Sequence, residues 1–159
     1  MLARRTLAGA LLALTVALIP AGGTFAKSDH HHGASATSLQ LTLDNGSKWR
    51  TDAPLRTGMD AIRIALEGSL PAVHRGGFTP QAYADLAGSL EKAVDGIVAD
   101  CKLPEAADAQ LHVILTHLLD GTGMMKDAGG QKNGIAKTIE AVNAYGEHFD
   151  HPGWRKLPH

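Results

Sequence analysis

One cysteine, Cys101, stands in a chain of 159 residues, beside two tryptophans, two tyrosines and three phenylalanines. A single cysteine forms no internal disulfide, so the fold must stand on packing. With aromatics at 4 %, that packing falls chiefly to Leu, Ile, Val and Ala. Positive charge is not in excess, with 15 basic residues against 16 acidic ones. Such a balance makes no field to attract nucleic acid or anionic lipid. Gly-x-Ser-x-Gly, His-Glu-x-x-His, Cys-x-x-Cys and a phosphate loop are all missing. So are the paired Glu-x-x-His motifs of di-iron bundles; the nearest approach is Asp108-x-x-x-His112. These absences argue against an enzyme.

The first residues are the most informative stretch for location. Arg4 and Arg5 precede an apolar or small run over residues 7–19, then Pro20, glycines and Thr24-Phe25-Ala26. A basic start, an apolar middle and a small-residue exit are the layout of a secretory signal peptide. The apolar run is shorter than the ~20 residues that a spanning helix requires. Cleavage after Ala26 is expected, leaving a periplasmic or secreted protein with no membrane insertion. The mature chain then carries 13 basic and 16 acidic residues. Residues 27–38, small and polar, read as a disordered leader. Within it His30, His31 and His32 read as an unstructured patch, with loose metal uptake as the alternative.

From residue 39 the pattern becomes structural. Leu39, Leu41 and Leu43 alternate with polar residues, and Asn45-Gly46 is a tight-turn signal. A short β-hairpin or extended arm is expected over residues 39–49. Four helical stretches follow. The first starts at Asp52 with Pro54 in its first turn and an apolar face of Leu55, Met59, Ile62, Leu66, Leu70 and Val73. Pro71 is expected to bend or end it. The second starts at Thr79-Pro80 and carries Tyr83, Leu86, Leu90, Val94, Ile97 and Cys101. The third runs from Pro104-Glu105 through Ala107, Leu111, Ile114, Leu115, Leu118 and Leu119, loosening at Gly121-Thr122-Gly123. The fourth carries Ile135, Ile139, Val142, Tyr145 and Phe149 and stops at Asp150-His151-Pro152-Gly153, a capping turn. Four amphipathic helices with short links pack most simply as an all-α, up-down-up-down bundle over residues 39–159.

That threading brings separate sulfur and imidazole groups toward one pole. Met59 lies about 10 Å in from it, at roughly 1.5 Å per residue. His112 reaches a similar depth, with Cys101 and His148 nearer the end and Trp49 and Trp154 flanking. His112 stands about 100° from Leu111, at the boundary of the apolar face, whereas His117 falls toward solvent. Met59, Cys101, His112 and His148 are therefore the candidate metal ligands. Each also has a plain structural reading, as core filling for the sulfur residues and hydrogen-bonded edge residues for the histidines.

A Met in the second turn of the first helix, a His near the end of the last and an exported bundle together resemble the soluble b-type cytochromes of the four-helix-bundle class. The resemblance covers residues 52–150 in architecture, and its motif is two residues. It implies Met59 and His148 as axial ligands of haem b, with Tyr145 beside the ring, and an electron carrier that serves a redox partner protein. Covalent haem is excluded, because Cys-x-x-Cys-His is missing. Soft Met and Cys ligands with His favour copper instead, in a carrier or buffer. The third expectation is a non-catalytic structural or interaction module of the cell envelope with no cofactor.

Overall fold

The computed structural model describes residues 39–158. The expected signal peptide, the leader and His30, His31 and His32 lie outside the described residues. The described part is mostly helical. In chain order it consists of β1 (Trp49–Arg50), α1 (Ala53–His74), α2 (Pro80–Asp100), α3 (Glu105–Lys126), α4 (Gln131–His148) and β2 (Phe149–Asp150).

The caps expected from sequence start the first two helices. Asp52 accepts from the Leu55 amide at 2.9 Å, and Thr79 accepts from the Ala82 amide at 3.1 Å. Each satisfies an amide that the helix itself leaves unpaired. α3 has no side-chain cap, but Glu105 and Asp108 lie in its first turn and Lys126 in its last, matching the helix dipole. Pro71 does not end α1. It sits in the last turn, where it forfeits one backbone bond, and the Arg75 amide still closes on the Pro71 carbonyl.

Leu55, Met59, Ile62 and Leu66 of α1 are wholly enclosed, as are Leu90 of α2, Ile114 and Leu118 of α3 and Val142 and Tyr145 of α4. They form one apolar cluster. Each helix packs on the next, α3 with α4 most extensively, while α1 and α4 touch much less.

Two expectations are corrected and a third is narrowed. The glycines of α3 do not loosen it; the helix runs unbroken to Lys126. They let α4 come close. A Cβ on Gly121 would lie 2.8 Å from the Gly134 carbonyl oxygen, and one on Gly134 would lie 2.6 Å from the Gly121 oxygen. His117 does not face solvent. Because α3 is covered by α4 as well as α2, its buried face is wider than one stripe. The His117 side chain is 10 % exposed, with Nε2 3.2 Å from Glu140 Oε2 of α4.

Of the two forms expected over residues 39–49, finally, the hairpin is reduced to its turn and the extended arm is the one present. Asn45 and Gly46 have the positive φ values of a two-residue turn, 49° and 87°. Asp44 and Ser47 bond across it, and no longer ladder follows. The chain runs as an extended arm instead. Gln110 of α3 accepts from the Thr42 amide, and the Trp49 indole donates to the Thr42 carbonyl. β1 then pairs in parallel with β2, Trp49 opposite Phe149. Tertiary partners outweigh a local hairpin because two strands alone bury too little. Among the described residues no helix is long and apolar enough to cross a membrane.

Candidate functional site

The residues beyond α4 do more than cap it. Residues 149–158 reach both α1 and α4. Asn143 of α4 clamps Leu157 twice, donating to its carbonyl at 3.1 Å and accepting from its amide at 2.8 Å. Trp154 lies edge-on to Tyr145, centroids 4.8 Å apart, and the Arg63 guanidinium of α1 sits 5.7 Å from the centre of its ring. Gly146 makes room for that indole: a Cβ there would fall 2.1 Å from Trp154 Nε1. Phe149 stacks on Tyr145 at 5.2 Å.

Inside this aromatic wrapping lies a polar chain. His151 Nε2 is 3.3 Å from Asp60 Oδ2 of α1, and His151 Nδ1 is 3.0 Å from the Tyr145 hydroxyl. A carboxylate only accepts, so Nε2 carries the proton and Nδ1 accepts from the phenol. Burial pushes the Tyr145 hydroxyl well above its ordinary pKa, and the nearby Asp60 charge adds to this. Burial likewise lowers the His151 pKa, with Arg56 and Arg63 on the same side, although Asp60 pulls the other way. At neutral pH the chain is carboxylate, neutral imidazole and neutral phenol. On its outer side Ala53, Arg56, Thr57, Asp60, His151 and Pro152 border an open cleft of about 590 Å³. Thr51 holds Arg56 there, its carbonyl and hydroxyl accepting from Nη1 at 2.8 and 3.0 Å.

Asp52 organises the neighbouring corner. Besides capping α1 it accepts from the Lys102 amide at 2.6 Å, tying the start of α1 to the link between α2 and α3. The Cys101 thiol lies beside the same carboxylate. Burial works against ionising Asp52, yet the Lys102 and Leu55 amides with the thiol hold its carboxyl below its ordinary value. Burial and the negative charges of Asp52 and Asp108 push the Cys101 thiol up to about 11, so it stays protonated at neutral pH.

The residues expected to gather as ligands have separate surroundings. Met59 is 0 % exposed within the apolar core. His148 is half-buried, with Nδ1 2.9 Å from the Ala144 carbonyl, beside a cleft lined by Leu39, Leu41, Asn143 and Lys156. His112 does not turn inward. Its side chain is 65 % exposed and pairs with Asp108 one turn earlier. Tyr145 is spent on His151, and Cys101 lies beside Asp52. Among the described residues no group of three or more His, Cys, Asp or Glu is arranged to hold a metal ion. Nor do the residues fit a haem held as the cytochrome resemblance implies. A macrocycle reaching the Met59 sulfur would have to displace packed core side chains, which costs several kcal/mol.

The sequence reading passed over Asp60, Arg63 and the buried role of His151. Asp60 and Arg63 occupy ordinary helical positions, and nothing local in the sequence links them to a residue some 90 positions away. Only the short spacing from Tyr145 to His151, across the end of α4, is a usable signal. No protein-family model, curated protein or solved structure matches the chain.

Proposed function

We propose that this protein is an exported, non-catalytic scaffold of the cell envelope, an up-down-up-down four-helix bundle closed by its C-terminal segment. One observation carries the reading: the buried polar groups of the candidate site, Asp60, His151 and Tyr145, are spent on one another. Both His151 nitrogens and the Tyr145 hydroxyl are engaged internally. In a carboxylate–histidine–hydroxyl relay the terminal hydroxyl must reach substrate, whereas Tyr145 is 0 % exposed. Export rests on the layout of residues 1–26, and the bundle topology on the sequential packing of α1 to α4.

The competing reading is a haem or copper carrier using Met59 and His148, with Cys101 and His112. Untagged protein from haem-replete, copper-supplemented cells separates the two. The scaffold reading expects a colourless protein, processed after Ala26 and recovered outside the cytoplasm, with far less than one metal per chain after dialysis. A Soret band, or one copper per chain retained by wild type and lost in Met59→Ala, overturns it.

A further inference from the structure

We propose that residues 149–158 form an acid-released strap, seated across α1 and α4 while His151 is neutral and freed when that imidazole takes up a proton. The geometry carries this. His151 is enclosed, its side chain 4 % exposed, with Asp60 on one nitrogen and Tyr145 on the other. In the neutral ring every hydrogen has an acceptor: Nε2–H points to Asp60, and the Tyr145 O–H points to Nδ1. A second proton goes to Nδ1. There it meets the phenol hydrogen head-on, and the phenol must rotate away. Tyr145 is 0 % exposed, and its hydroxyl has no other hydrogen-bond partner among the described residues. The buried O–H is then left without an acceptor, and leaving the pocket restores one from water.

The surrounding charges divide. From α1, Asp60 favours the imidazolium, whereas Arg56 and Arg63 oppose it. α4 presents the neutral Tyr145. On the far side of His151 the bordering charges are Lys48, Glu147 and Lys156, the last two paired with each other at 2.5 Å. Asp150 is exposed beside it in the chain.

The strap is the element that yields, for a structural reason. Its first two residues pair as β2 with the short strand β1, and those beyond are non-helical and held by side-chain contacts, whereas the helices keep their own backbone ladders. Release uncovers Tyr145 and exposes Phe149, Trp154 and Leu157, all now packed against the bundle.

The test uses the full mature chain with Trp49→Phe, so that Trp154 is the one indole reporting. Acidification from about pH 8 to about pH 4.5 spans the imidazole range. We expect Trp154 emission to shift to the red and the Leu157 amide to lose exchange protection in one step, while helical circular dichroism persists. The His151 ring resonances should titrate with the same midpoint. His151→Gln should remove the step. Asp60→Asn, which still accepts from Nε2–H but no longer favours the imidazolium, should move the midpoint to lower pH. Emission and protection that stay flat until the helices melt overturn the proposal. So does a step that survives in His151→Gln, or a His151 titration whose midpoint differs from that of Leu157. Should His151→Gln fail to seat the strap at any pH, the comparison of midpoints in the unsubstituted His151 chain decides.

Discussion

Gly146→Ala sets two known effects against each other, and the packing of Trp154 decides between them. In a helix, Ala is favoured over Gly by up to about 1 kcal/mol. Gly146 sits near the end of α4, so the gain is at most that. Against it, the new methyl carbon would lie 2.1 Å from Trp154 Nε1 and 2.2 Å from Cδ1, far inside contact distance. The indole cannot yield by small steps, because it is wedged against Tyr145 and His151, 4.8 and 4.9 Å away between ring centres. It must move out. Emptying a buried tryptophan site costs about 3–5 kcal/mol, and Trp154 is only partly buried, which places its share near 2–3. Loss of the Arg63 contact adds about 0.5–1 kcal/mol. The net expectation is a destabilisation of about 1.5–4 kcal/mol. Urea unfolding followed by circular dichroism measures it. The decisive comparison is the same substitution in a Trp154→Ala background, where the obstacle is gone. There Gly146→Ala should be neutral or stabilising by up to about 1 kcal/mol, a reversal of sign and a strong coupling. Equal destabilisation in both backgrounds, or a gain in the wild type, would refute the packing of Trp154 on α4.

Three further outcomes are expected. Gly134→Ala should destabilise by about 1–3 kcal/mol or more despite better helix propensity, because the clash is with the Gly121 backbone, which no rotamer relieves; a thermal melt at unchanged or higher temperature would count against the close α3–α4 crossing. Asn143→Leu keeps the volume but leaves the Leu157 amide and carbonyl unpaired where both are enclosed. At about 1–3 kcal/mol for each group left unsatisfied, the C-terminal segment should detach in preference to the bundle unfolding, read as loss of Leu157 amide protection with α3 amides unchanged. Global stability should also depend on pH through His151. Its pKa in the fold lies below the ordinary 6.5, so the unfolded chain binds the proton more readily. The contribution is complete above the unfolded value and is lost as pH falls through the folded one. Chemical denaturation at stepped pH should show this slope in wild type and a flatter one in His151→Gln.

Much of the architecture was legible before any coordinates. Asp52 and Thr79 are caps whose hydroxyl or carboxyl chemistry acts within three residues, and the apolar steps of Leu55, Met59, Ile62 and Leu66 define a face by helical period alone. Short-range rules suffice where the partner is a near neighbour in the chain. The same rules misread Gly121 as a loosening point, because its reason is Gly134 on another helix. They misread His117 as solvent-facing, because α4 covers a second side of α3. They left a hairpin and an extended arm both open around Asn45-Gly46, because only the turn is local and the strand partner of Trp49 is Phe149.

The sequence by itself determined four helices, where the first three begin, and most of the side chains that each turns inward, since periodicity and capping are properties of a single segment. It also led to the expectation that Met59, Cys101, His112 and His148 gather toward one end. The tertiary structure alone decided that Met59 is enclosed, that His112 faces water, that Cys101 lies beside Asp52, and that His151 joins Asp60 to Tyr145. Those are meetings between segments that are distant in the chain. They depend on how closely helices approach and on where the last ten described residues lie, and no single segment carries that information.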